Sequence, residues 1–204
     1  MPEPGRRFRL SQGRTPLVKS ATELGAVASQ YEKWVYPFPI ADLDAPDVRT
    51  LRDGGDFERN WHTFWPDRPF REDLDVLVAG CGSNAAARYA FNHRKARVTG
   101  IDLSSASLAH EAYLKDKHRL DNLTLHQARI EEVSGLAREF DFIDVSGVLH
   151  HLPDPVGGLK ALGGVLRPEG TIAVRSMGSG AAPASTCCRR CRASWASAKA
   201  SRMY

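Results

Sequence analysis

Residues 74–87 read LDVLVAGCGSNAAA, and the reading of that stretch decides the fold. Leu74 to Ala79 make a short, mostly apolar run, the length of a buried strand. The run ends in Gly80-Cys81-Gly82, and a helix is expected to start near Asn84. Glycine lets the backbone approach a ligand closely, and the first N–H groups of a helix have no partner inside it. Strand, tight turn and helix start therefore make a cradle. Gly80, Gly82 and Ala85 also fit G-x-G-x-x-A, which permits a dinucleotide reading.

Outward from this stretch the alternation repeats. Strand-like runs are RVTGIDL (97–103), NLTLHQ (122–127), FDFIDVSG (140–147) and GTIAVRS (170–176). Helix-like segments lie near 84–95, 104–118, 130–138 and 154–166. In the last of these Asp154 is placed to cap, Pro155 suits the first helical position, and Val156, Leu159, Leu162 and Leu166 make a stripe. The pattern predicts an α/β fold, a parallel sheet of about five strands flanked by helices with right-handed crossovers. Asp102 ends the second run, 22 positions after Gly80. That is the place of an acid that binds ribose hydroxyls, expected about 20 residues on. A carboxylate suits a diol because it accepts two hydrogen bonds at once. The bland alternative is that Asp102 caps the next helix, a task Ser104 or Ser105 can take instead. These signals predict a nucleoside-binding, Rossmann-like domain and do not choose the cofactor.

The ordered series VLVAGCGSN, VTGIDLS, FDFIDVSGVLHHLPDP and LGGVLRPEGTIAV resembles the motif series of class I S-adenosylmethionine (SAM) dependent methyltransferases. The match runs from about Leu74 to Arg175, and its second half, HHL and L-x-P-x-G, is not explained by an oxidoreductase. The resemblance implies methyl transfer from SAM to a small-molecule acceptor. A catalytically inactive SAM- or nucleoside-binding remnant of a methyltransferase is the alternative. By resemblance, Ala79, Gly80, Cys81 and Gly82 hold the methionine part of SAM, and Asp102 holds the ribose. Leu103 packs beside the adenine, Gln127 and Ala128 sit at its edge, and Ser146 and Gly147 line the pocket near the methyl group. Three positions depart from the family pattern. Val78 stands where many members carry an acid, Gln127 replaces the usual aspartate, and Asn84 replaces a third loop glycine, a position where asparagine tolerates left-handed backbone.

The sulfonium of SAM already activates its methyl group, so the protein mainly aligns the nucleophile and removes a proton where needed. His150 and His151 are the obvious base candidates, since histidine titrates near neutrality. The competing reading gives at least one of them only a scaffold role.

The flanks read differently. Residues 1–20 are expected to be disordered and 21–70 to form a helical, aromatic-rich extension, with a capping box at Ser20–Glu23 and a second helix holding Phe57, Trp61, Phe64 and Trp65. That layer is expected to pack on the sheet, and it can cover a pocket as a lid at the same time. The SAM-binding domain is placed at 71–177. Residues 178–204, rich in Ala, Ser and Arg and without acids, read as a disordered tail. The hypothesis for the tail is a frameshift or mis-read gene end, with the final antiparallel strands of the fold expected to be missing. The net charge of +4 belongs to this end. Six of the 28 bases follow Glu169, the last acid, and without them 22 bases face 24 acids. No nucleic-acid partner is expected on that balance. Cys187, Cys188 and Cys191 lack a fourth ligand at finger spacing, so no metal is expected. No run is apolar enough to span a bilayer, and the start lacks a signal-peptide core, so a cytoplasmic location is expected.

Overall fold

The computed structural model describes residues 37–45 and 55–176, and the backbone of 184–188. Six strands form one sheet: β1 (Asp75–Ala79), β2 (Arg97–Asp102), β3 (Leu123–Gln127), β4 (Phe140–Ser146), β5 (Leu166–Ser176) and β6 (Ala184–Cys188). Their order is β3-β2-β1-β4-β5-β6, parallel from β3 to β5, with β6 antiparallel to β5. The five expected parallel strands are β1–β5. The strand order reverses between β1 and β4, each of which starts a connection leading away from the other, so the carboxyl ends of these two strands open a crevice.

Helices α1 (Phe57–Phe64), α2 (Ala85–Asn92), α3 (Ser105–His118) and α4 (Pro155–Gly164) flank the sheet. Their starts follow local chemistry. Asp56 accepts the Arg59 N–H at 3.0 Å, Ser104 accepts the Ser107 N–H at 3.2 Å, and Asp154 accepts the Gly157 N–H at 2.8 Å ahead of Pro155. The helix expected near 130–138 is a 3₁₀ segment, Ile130–Leu136. The crossover from β3 to β4 is short, and a tighter helix spans it with fewer residues.

β1 is buried at every position, and successive side chains point to opposite faces. Val76 and Val78 join one core layer with Phe142, Leu114 and the α1 aromatics. Leu77 and Ala79 join the other with Ile143, Val145 and Leu162. Phe57 and Phe64 meet the Phe142 ring at centroid distances of 5.0 and 5.1 Å, each pair in a T-shaped arrangement. Trp65 donates from its indole N–H to the Glu169 carbonyl at 2.9 Å. The α1 rings pack on the sheet, as expected of the aromatic layer.

Residues 37–45 contain no helix. Pro37 and Pro39 lack N–H donors and disfavour helical backbone before them. This strap is tied to the domain instead. Ser83 Oγ donates to the Pro37 carbonyl at 2.6 Å, a His110 ring nitrogen lies 3.0 Å from the Ile40 carbonyl, and His118 accepts the Leu43 N–H at 3.1 Å.

At the other end, the expectation of a tail without a strand is corrected at Ala184–Cys188, which pairs with Ile172–Ser176. An unpaired β5 edge offers a row of backbone donors and acceptors, and any extended segment can satisfy them whatever its side-chain pattern. The expectations for residues 1–36, for 46–54, for 177–183 and for 189–204 fall outside the described residues.

Candidate cofactor site

The turn after β1 needs its glycines. Gly80 has φ +73° and Gly82 φ +57°, the left-handed region that side chains disfavour. A Cβ on Gly80 would also lie 2.3 Å from a Val148 methyl. The close approach joins the β1 turn to the segment after β4, across the point where the strand order reverses. Gly80 N–H and Cys81 N–H donate to the Ile101 carbonyl at 2.8 and 3.0 Å, binding the turn to β2.

Asp102 completes that tie. One carboxylate oxygen accepts the Gly82 N–H and the other the Ser104 N–H, both at 2.8 Å. Ser104, not Asp102, caps α3. Each oxygen keeps acceptor capacity after one bond, so the carboxylate staples the turn and still has room for a hydroxyl donor. Leu103, beside it, is 45% exposed, the exposure of a residue that offers an apolar face to a planar ligand. Gln127 pairs in register with Asp102 and donates to the Leu103 carbonyl at 2.9 Å, and Ala128 N–H donates to the Asp102 carbonyl at 3.2 Å. Ala79, Gly80, Cys81, Gly82, Asp102, Leu103, Gln127 and Ala128 therefore converge at the carboxyl ends of β1, β2 and β3.

Ser146 and Gly147 end β4 on the same side of the sheet. Gly147 has φ +72°, and its N–H donates to the Arg175 carbonyl at 2.8 Å. Ser146 donates to Asp144, which also accepts from the Tyr89 hydroxyl at 2.9 Å. Burial pushes the Asp144 carboxyl up, against the Ser146 and Tyr89 hydrogen bonds. His150 and His151 lie in the 3₁₀ turn Leu149–His151 just beyond, their rings 3.9 Å apart. His150 is exposed and His151 half-buried.

Two features differ from the sequence reading. Asn84 has φ −155° and ψ −6°, outside the left-handed region, and its amide donates to Ser83 Oγ and the Phe38 carbonyl. It therefore binds the strap and makes no side-chain cap on α2. The cap comes from Glu111, which the sequence reading passed over. Its carboxylate, fully buried, accepts the Ala86 and Ala87 N–H groups at 2.9 and 2.8 Å. The available signal was spacing: Leu108, Glu111 and Leu114 recur every third residue, which puts a glutamate on an otherwise apolar helix face. Burial pushes the Cys81 thiol well up, with the Glu111 and Asp102 carboxylates adding to it, so Cys81 is a packed thiol and not a nucleophile.

A cavity of about 600 Å³ opens elsewhere, lined by Trp61, Trp65, Arg68, Arg71, Asp141 and Arg167. It lies at the amino ends of β1, β4 and β5. Ligands of open parallel sheets bind at the carboxyl ends, so the cavity is not the cofactor site despite its size.

A family model described as a methyltransferase domain matches residues 77–172. An uncharacterised protein of Synechococcus sp. is 32% identical over 157 residues, covering 72% of this chain and 35% of its own. The ubiquinone biosynthesis O-methyltransferase of Acinetobacter baumannii is 30% identical over 98 residues, 48% of this chain and 41% of its own. Among solved structures, PKMT2 from Rickettsia typhi in complex with AdoHcy superposes with a TM-score of 0.51 at 23% identity, covering 58% of this chain and 24% of that one. At that identity the likeness concerns the fold. Residues 77–172, a little under half of the chain, match the methyltransferase-domain family, and the fold is that of the class I SAM-dependent methyltransferases, whose cofactor is SAM. The chain spans less than half the length of these relatives. No helix among the described residues is long and apolar enough to cross a membrane.

Proposed function

We propose that this chain binds SAM on the Gly80–Gly82 turn and transfers its methyl group to a small-molecule acceptor. The observation that carries the reading is the Asp102 staple, which holds a left-handed glycine turn open beside a carboxylate with acceptor capacity to spare. The turn suits the methionine part, Asp102 the ribose diol, Leu103 the adenine face, and Gln127 and Ala128 its edge. When bound, SAM supplies a methyl group already activated by the sulfonium. Ser146 and Gly147 shape the acceptor side, and the His150–His151 pair takes up a proton where the acceptor must lose one. Catalysis on this reading is chiefly alignment.

Calorimetry with S-adenosylhomocysteine (SAH), the demethylated product, tests it. Asp102→Ala should weaken binding by about 1–3 kcal/mol, the scale for removing one partner of a buried polar contact. Unchanged affinity would remove Asp102 from the site. With an acceptor in hand, His150→Gln and His151→Gln assign the base. Full activity in both, with no ionisation near neutrality in the rate profile, would leave the pair as scaffold.

A further inference from the structure

Glu111 belongs to α3, yet it closes the start of α2. In a turn of the G-x-G-x-x-A pattern, the N–H groups at the start of the following helix receive the phosphates of a dinucleotide, aided by the helix dipole. Here those donors are spent. Ala85 N–H donates to the Cys81 carbonyl at 3.2 Å, Ala86 and Ala87 donate to Glu111, and Arg88 N–H donates to the Asn84 carbonyl at 3.0 Å. The Cys81 thiol, inside the glycine turn, donates to the same Glu111 carboxylate. The packing behind the helix start is close as well. A Cβ on Gly100, on β2, would lie 2.7 Å from the Ala86 Cβ and 3.3 Å from Cys81 Sγ, so α2 sits fixed against the sheet.

Ionised or protonated, the Glu111 oxygens stand where a phosphate oxygen would have to stand. When ionised, Glu111 and Asp102 also put two negative charges behind the turn, a field that repels a pyrophosphate and favours a sulfonium cation.

We propose that Glu111 is a specificity-determining residue of the cofactor site: by occupying the N-terminus of α2 it removes the phosphate subsite that the Gly80–Ala85 pattern would otherwise build, and so closes the turn to dinucleotides while leaving it open to a phosphate-free sulfonium nucleoside. The inference rests on the cofactor lying on the Gly80–Gly82 turn. It also explains how a sequence that fits a dinucleotide pattern serves a different cofactor.

Titration calorimetry on the full chain tests it, with SAH, NAD and inorganic pyrophosphate as probes, each alone and in competition. The wild type should bind SAH and be blind to pyrophosphate and NAD. Glu111→Ala frees two N–H donors and should gain pyrophosphate affinity by at least about tenfold, in competition with SAH. Glu111→Gln, whose amide oxygen and bulk still fill the site, should gain none. Pyrophosphate or NAD competing with SAH on the wild type would overturn the proposal, and so would a folded Glu111→Ala protein with no gain. Should the alanine variant not fold, the wild-type competition decides alone. The outcome is separable from the cofactor placement itself: a wild type that does not bind SAH, or an Asp102→Ala variant that binds it unchanged, defeats the placement and not the blocking role of Glu111.

Discussion

At the scale of single residues, Glu111 also sets a pH dependence. Burial pushes its carboxyl from the ordinary 4.5 up to about 8, against the Ala87 and Ala86 N–H bonds, which favour the ion, and with the Asp102 charge adding to the rise. An acid whose folded pKa lies above its unfolded value holds its proton longer in the folded chain. Stability from this group is therefore full below about pH 4.5 and falls as pH rises toward 8. Urea denaturation at pH 5, 6.5 and 8 should show the wild type losing stability relative to Glu111→Gln, which has no proton to lose. Parallel curves for the two proteins would show that the shift is absent. Gly80 was legible from its place between a strand and a helix. The close approach of Val148, which leaves no room for a side chain there, was not, because the partner arrives from 68 positions downstream.

Elements show where local chemistry is sufficient and where it is not. The caps at Ser104 and Asp154 follow from short-range sequence, and both form. The C-terminus of α3 is less comfortable. Arg119, exposed, ends it at φ +51°, in the left-handed conformation that glycine adopts without cost. Arg119→Gly should therefore stabilise the fold by about 1 kcal/mol, read as a rise in the urea midpoint with an unchanged slope. A lower midpoint would mean that the side chain contributes more than the strained backbone costs. The α1 aromatics are a packing element, since Phe57, Trp61, Phe64 and Trp65 are all buried. Trp65→Ala should cost about 3 kcal/mol or more by thermal or chemical unfolding while leaving SAH affinity within a few-fold in the folded fraction. A selective loss of SAH binding without loss of stability would restore the lid reading. β6 was not legible at all, because its pairing rests on the free edge of β5 and not on a pattern of its own.

Across the whole molecule, the two ends of the sheet are specialised. The carboxyl ends carry the glycine turn, Asp102 and the β4 segment. The amino ends carry a charge network: Asp75 bonds Arg97 at 2.7 and 2.8 Å, Arg167 at 2.7 Å and Arg138 at 3.2 Å, and Arg167 also reaches Asp141 at 2.6 Å. Burial raises the Asp75 carboxyl, but the Arg97 and Arg167 guanidiniums outweigh it and hold it at about 2. Its contribution is present above the ordinary 3.8 and is lost as pH falls toward 2. Asp75→Asn should cost about 2 kcal/mol at pH 7. That is below the 3–5 kcal/mol typical of a broken buried pair, because the arginines are about half exposed and water screens them. The gap to wild type should close as pH falls from 4 to 2.5, with SAH affinity at pH 7 unchanged. A gap that stays constant into acid would mean that the network does not hold Asp75 ionised.

The amino-acid sequence by itself determined the alternation of strands and helices, the glycine turn after β1 and the acid ending β2. Each is a short-range pattern: apolar period, cap residue, glycine where the backbone turns. Ser146, Gly147 and the histidine pair were placed by likeness to a family, and the sheet brings them to the same end because parallel crossovers return every strand in the same direction. Only the tertiary structure decided that Glu111 caps a helix it does not belong to, that Asn84 holds the strap instead of turning the loop, and that residues 184–188 complete the sheet edge. Those outcomes depend on groups that meet across 24 or more positions or on a backbone edge left open, and no local pattern of propensity or period encodes such meetings.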